Sequence, residues 1–275
     1  MDTVKLAKEI RRLIFRAAYA AGGGHLGGCF SLADILTVLY FDNVLKYDPK
    51  KPRLKERDRF ILSKGHAGLA LYAVLAKAGY FPLQELWTVG KPHASLGEHP
   101  KADTPGVEVA TGSLGQGFAF SVGVAYGRKT DGNIGHVYVA LGDGECEEGV
   151  VWEAAMSAAK LKLHNLTAIV DCNGLQGCDH VNDVVRFSPF ADKWKAFGWQ
   201  VQEIDGHDHE AIKKALLFRD PEKPVAVIAH TVKGKGVSFM ENKAIWHYRM
   251  PNESELPILL KDLDMNEADL YVNDR

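Results

Sequence analysis

The sequence predicts an α/β fold, a parallel sheet with helices on both faces. Two observations carry this. Apolar runs of strand length lie near residues 59–62, 137–141, 166–170, 199–204 and 224–229, and helical patterns fill most of the spaces between them. Within that series, residues 137–175 form a strand–helix–strand unit. The first run breaks at Gly142-Asp143-Gly144 and the second at Asp171-Cys172-Asn173-Gly174. Such crossovers join parallel strands. Asp143 and Asn173 are therefore expected at the carboxyl ends of neighbouring strands, where open α/β sheets bind ligands. A carboxylate and an amide oxygen converging on one point suit Mg²⁺ or Ca²⁺, above all when a phosphate completes the shell.

Composition bounds the remaining choices. A chain of 275 residues can bury a full core in one large domain or two small ones. The net charge is −2 and no basic run stands out, so nucleic acid is not an expected partner. No apolar stretch reaches membrane-spanning length. The first fifteen residues mix charges into an amphipathic pattern and lack the apolar core of a signal peptide, so a cytoplasmic location is expected. Cys29, Cys146, Cys172 and Cys178 form no CxxC pair, which points to reduced thiols rather than a zinc site.

Taken in order, residues 3–21 read as an amphipathic helix. It ends in Gly22-Gly23-Gly24-His25-Leu26-Gly27-Gly28, which is either a flexible turn with an exposed histidine or a place where backbone approaches something closely. Ser31 to Asp34 resembles a capping box that opens a helix over 32–41. Residues 42–57 read as a surface connection. The strand at 59–62 leads into Ser63-Lys64-Gly65-His66 and a helix over 69–78, ended by Gly79. His66 thus sits at a strand-to-helix junction, a place that favours anions.

Residues 81–111 are a long irregular stretch with four prolines, His93 and His99; loops this long in compact domains are usually functional or disordered. Thr111-Gly-Ser-Leu-Gly-Gln-Gly117 then enters a helix over 118–129. Gly117, Gly123 and Gly127 weaken that helix, which makes sense if another helix packs tightly on it. Further helices are expected at 189–197 and 209–218. Thr231 to Gly236 is a Gly/Lys loop after a strand, able to contact phosphate or simply to be solvated. Residues 253–275 carry seven acidic side chains against two basic ones and read as a surface arm or partner contact. No internal repeat or low-complexity segment is present.

His25, His66, His99 and His247 all fall in loop positions that could face the same sheet edge. Singly, each would be an ordinary loop or core histidine. The blocks around them carry a resemblance. Gly142-Asp-Gly144 followed by Asn173-Gly174 is similar to the thiamine diphosphate motif. Gly24-His-Leu-Gly27, Ser63-Lys-Gly-His66, His99-Pro100 and Thr111 to Gly117 resemble the blocks of transketolases, in the same order, and Lys233-Gly-Lys-Gly236 with His247 resembles the end of that domain. The match runs from about residue 5 to 250. The 2-oxo acid dehydrogenase alpha subunits share the GDG block and its Asn but not the early histidine blocks.

The resemblance implies a thiamine diphosphate-binding fold over residues 1–250, with 251–275 as a C-terminal arm. It implies that Asp143, Asn173 and the Leu175 backbone oxygen bind Mg²⁺ or Ca²⁺. It gives cofactor contacts to His66, the Gly112-Ser113-Leu114 backbone, Gly142, Asp143, Gly144, Glu145 and Asn173. His25, His99 and His247 would line the channel, bind donor hydroxyls and assist proton transfers, and Glu148 would link two active sites across a subunit interface. Glu148 could instead be a carboxylate favoured by a helix N-terminus.

Three positions depart from the family pattern. Leu26 and Ser113 stand where proline is usual, and Cys172 replaces a residue often acidic or amide. None removes a chemical group the site needs. The larger departure is that a transketolase also needs a second thiamine-type domain, which nothing after residue 250 could supply. The expectation is therefore the N-terminal subunit of a split transketolase. A separate C-terminal subunit would complete it, with two copies of each and sugar phosphates as substrates. Transfer to or from a modified sugar, or a deoxyxylulose phosphate synthase-like condensation, is the alternative chemistry. A non-catalytic nucleotide-binding or scaffold protein with a decayed site is the bland one.

Overall fold

The computed structural model describes residues 2–271 other than 134 and 178, so Cys178 lies outside the described residues. Five parallel strands form one sheet in the order β1-β2-β3-β5-β4: β1 Arg59–Leu62, β2 Val137–Gly142, β3 Leu166–Cys172, β4 Gln200–Asp205 and β5 Val225–His230. Each lies within two residues of its sequence expectation at either end. β2 is buried along its whole length, which explains why its sequence is a continuous apolar run rather than an alternating one.

Two hydrophobic cores sit on the two faces of the sheet, and alternate residues of one strand feed each. Tyr138 and Ala140 join α1 (Thr3–Ala21), α2 (Leu26–Phe41), α3 (Gly68–Lys77) and α8 (His209–Leu217). Val137, Val139 and Leu141 join α4 (Gln116–Thr130), α5 (Gly149–Lys160) and α7 (Phe190–Ala196). A short helix, α6 (Val181–Val184), lies within the connection between β3 and α7. α1 starts on Asp2, whose side chain accepts the Lys5 N–H, and stops at Gly22, whose φ of +76° only glycine adopts freely.

Two local readings are corrected. The second helix begins at Leu26, not at residue 32, and Ser31 caps nothing. Its hydroxyl, buried inside α2, donates to the Gly28 carbonyl and the Asp171 carboxylate, while Asp34 is engaged by Arg11, His207 and His209. Nearly every residue of α2 is buried, and Ser31 and Asp34 serve tertiary partners instead of the helix end. The second correction concerns α4. Only Gly117 is closely packed, against Ser63; a Cβ at Gly123 or Gly127 would meet nothing within 4 Å.

Beyond residue 250 the chain forms α9 (Leu256–Asp262). Leu259, Leu260 and Leu263 are buried in the core beside α1, and Arg12 of α1 donates to the Leu263 carbonyl at 2.6 Å.

Candidate active site

The carboxyl ends of β1, β2 and β3 and the start of α2 surround a cavity of about 350 Å³. Asp143 stands where β2 ends, 4% exposed, and its carboxylate accepts the N–H groups of Gly144 at 2.8 Å and Gly174 at 2.6 Å. Burial pushes its carboxyl up to about 6, against the pull of those two N–H groups. Asn173 and Leu175 lie across the cavity on the turn after β3, with the Asn173 Oδ1 accepting the Leu175 N–H at 3.1 Å. One carboxylate, one amide oxygen and one backbone carbonyl suit a hard divalent cation. No group of three His, Cys, Asp or Glu among the described residues could hold a metal unaided. The donor set therefore fits a cation whose shell is completed by ligand oxygens such as those of a diphosphate. A cation there would favour the ionised Asp143 that burial opposes.

Two lysines that sequence reasoning left unassigned supply positive charge. Lys64 is 1% exposed and is ion-paired with the fully buried Asp171. Burial raises the Asp171 carboxyl, but Lys64, Ser31 and Thr231 together hold it below its ordinary value. Lys233 is 2% exposed and donates to the carbonyls of Leu175 at 3.2 Å and Gln176 at 3.3 Å. Burial, and then the neighbouring Lys64, lower its ammonium to about 8. Both lysines line the cavity, as do Gly28, Gln176 and Gly177, which were also not anticipated. A Cβ on Gly144 would lie 3.0 Å from the Gln176 side chain, so the backbone there already fills its space. Buried lysine ammonium groups beside closely packed glycine backbone form a site for a polyanion.

The four histidines converge. Ring centroids of His25 lie 5.3 Å from His66, 5.2 Å from His247 and 6.2 Å from His99, and His66 lies 5.3 Å from His247. Each arrives from a different segment. His25 is the N-cap residue of α2, His66 is in the turn after β1, His99 is in the long proline-containing stretch, and His247 ends a short helical turn after β5. Burial lowers His25 and His247 to about 4 and His66 further still. At neutral pH these three rings are uncharged, able both to donate and to accept a hydrogen bond.

The other anticipated residues divide. Gly112, Leu114 and Gly142 line the cavity, whereas Ser113 is exposed outside it. Glu145 is 3% exposed and also lines it. One of its oxygens accepts the Ser63 hydroxyl and the Gly115 N–H at 2.8 Å, and the other accepts the Gly142 N–H at 3.0 Å. It ties three loops of the site together. Glu148 is the N-cap residue of α5, exposed and without a side-chain capping bond.

The family model "Transketolase, thiamine diphosphate binding domain" matches residues 3–274. The chain is 42% identical to a 6-deoxy-6-sulfo-D-fructose transketolase subunit from Clostridium sp. (strain MSTE9), over 98% of each chain. It is 43% identical to an apulose-4-phosphate transketolase subunit from Actinobacillus succinogenes, over 94% of this chain and 95% of that one. Among solved structures, transketolase from Leishmania mexicana superposes with a TM-score of 0.91 at 30% identity, covering 100% of this chain but 43% of that one. The chain thus spans nearly the full length of the two subunits and less than half of the Leishmania enzyme.

Proposed function

The chain belongs to the transketolase family, and from that premise we propose that it is the N-terminal subunit of a two-chain transketolase, moving a two-carbon ketol unit from a ketose phosphate to an aldose phosphate. The observation that carries this reading is one cavity joining three kinds of group: the oxygens of Asp143, Asn173 and Leu175, the buried ammonium groups of Lys64 and Lys233, and His66 and His247, two members of the histidine cluster. Asp143, Asn173 and the Leu175 carbonyl would hold Mg²⁺ (Ca²⁺ has the same donor preference), while Lys64, Lys233, His66 and the Gly112, Leu114 and Gly144 backbone would hold thiamine diphosphate. Bound there, the cofactor supplies the carbon that carries the ketol unit between substrates. His25, His99 and His247 orient the sugar hydroxyls and move protons at their ring nitrogens, and burial keeps the His25 and His247 imidazoles neutral for that task. Glu145 fixes the loops around Gly142 and Gly115, and Ser113 is a backbone neighbour of the same site.

The partner in this reading is a separate C-terminal subunit, in an assembly of two copies of each. Both relatives are named as subunits, which supports it. The exposed position of Glu148 suits contact with another chain. Those same two names specify a sulfo sugar and apulose 4-phosphate, which favours a modified sugar as the alternative substrate. Cys29, Cys146 and Cys172 are free thiols, in keeping with a reducing cytoplasmic location.

The test is co-expression with a candidate C-terminal subunit, followed by a ketol-transfer assay with thiamine diphosphate and Mg²⁺. Transfer that requires both chains and both cofactors is expected. A folded pair that binds thiamine diphosphate and transfers nothing to any aldose would overturn the assignment.

A further inference from the structure

A second cavity, of about 190 Å³, opens on the outer side of the histidine cluster. His66 lines both cavities, so the two adjoin at its ring. Its wall includes His25, Tyr248, Val89, the Gly22 to Gly24 backbone and one carboxylate, Glu98. The Glu98 side chain is 53% exposed, and its Oε1 lies 3.8 Å from the His25 Nδ1. Among the described residues it forms no hydrogen bond and no other ion pair, so it does not hold the fold together. The His25 Nδ1 is itself buried without a hydrogen-bond partner. The half-exposed Glu98 carboxylate therefore faces the cavity, with the His25 Nδ1 buried beside it.

We propose that Glu98 is a specificity-determining residue of this channel, accepting hydrogen bonds from the hydroxyl groups of an uncharged, polyhydroxylated stretch of the ketose. The inference rests on the ketol-transfer reading of the site. An ionised carboxylate accepts only, and its two oxygens can receive two adjacent hydroxyl groups. An anionic substituent in the same place meets like charge. Glu98 also acts on His25 electrostatically. His99, Lys64 and Lys233 disfavour the charged ring, as burial does, and His66, His247 and Tyr248 pack around it, while Glu98 alone favours it.

Glu98→Ala and Glu98→Gln test this at an exposed position. In the two-chain enzyme, D-fructose 6-phosphate is compared with hydroxypyruvate, which has no hydroxyl beyond its reacting carbons and is itself anionic. The ratio of kcat/KM for the sugar over that for hydroxypyruvate should fall about tenfold in Glu98→Ala, mainly through KM, as expected for one lost charge-assisted hydrogen bond. A change shared equally by the two donors, or no change, overturns the proposal. A readout that needs no turnover comes from this chain alone. The His25 ring signals, assigned with His25→Gln, should titrate at lower pH in Glu98→Gln than in wild type. They should also shift on addition of D-xylulose only when Glu98 is present. Wild type and variant behaving alike overturns the proposal even if no partner restores activity. Loss of ketol transfer with these signals intact would instead refute the wider functional reading.

Discussion

Asp143 shows what this site costs the chain that carries it. The folded protein favours the protonated carboxyl, which titrates at about 6 against a reference value of 3.8. Its contribution to stability is therefore fully present below pH 3.8 and is lost as the pH rises through 6. A displacement of that size corresponds to about 3 kcal/mol at neutral pH. Asp143→Asn removes the buried charge but gives up part of the acceptance of the Gly144 and Gly174 N–H groups, leaving a net gain of about 1–2 kcal/mol. Urea unfolding of the metal-free chain should find the variant more stable than wild type at pH 7.5 and nearly equal to it at pH 4, with cofactor binding lost. A variant less stable at both values would show that the backbone bonds outweigh desolvation. Asp143 and Asn173 were legible in the sequence because each follows a strand-length apolar run with an abrupt polar break. Lys64 was not, and Lys233 was legible only as part of a Gly/Lys loop able to contact phosphate or to be solvated. Only the packing of α2 over the sheet edge shows that both are buried.

At the level of elements, the strands and most helices were legible from apolar periodicity, and the misreadings share one physical origin. Side chains taken as local signals were in use by distant partners. Ser31 serves Asp171 and Asp34 serves Arg11, so α2 starts five residues before the apparent capping box. The glycines likewise differ in role. A Cβ at Gly27 would sit 2.5 Å from the Trp246 backbone oxygen and 3.0 Å from the Lys233 side chain, so α2 is pressed onto the loop that carries Lys233 and His247. Gly27→Ala should lower stability by about 1–3 kcal/mol through that overlap and weaken thiamine diphosphate binding by displacing Lys233. Gly123→Ala faces open space and should raise the stability of the isolated chain by about 0.8 kcal/mol, the helix-propensity difference. Thermal denaturation of the two variants beside wild type separates these cases. Equal effects would mean that both glycines matter only through backbone entropy.

At the scale of the whole molecule, two cores clamp the sheet and four separate segments bring histidines to one edge. That convergence was legible only through the family resemblance, which put these histidines around one site; spacing alone did not show it, since His25 and His247 are 222 positions apart and loop histidines are common singly. It has a consequence for the entire chain. His25, His66 and His247 are held neutral by burial well below their ordinary value of 6.5. The unfolded chain therefore binds more protons than the folded one as acid is added. Histidines with depressed values contribute stability that is present above 6.5 and is lost as the pH falls toward 4. Asp143 and Glu145, whose carboxyls burial raises, act in the opposite sense over an overlapping range, while the buried His136 outside the cluster adds to the histidine side. Because His25 and His247 are only partly buried, solvent screening reduces their share, and the net loss between pH 7 and pH 5 should be about 1–3 kcal/mol. Replacing His66, the most deeply buried of the three, with Gln should flatten that acid limb, whereas replacing His93, an exposed histidine outside the cluster, should leave it unchanged. Identical acid limbs in wild type and His66→Gln would show that acid sensitivity arises elsewhere in the fold. On the proposed ketol-transfer reading, the same protons link acid to sugar affinity, because a charged histidine cluster loses its neutral donor and acceptor pairs.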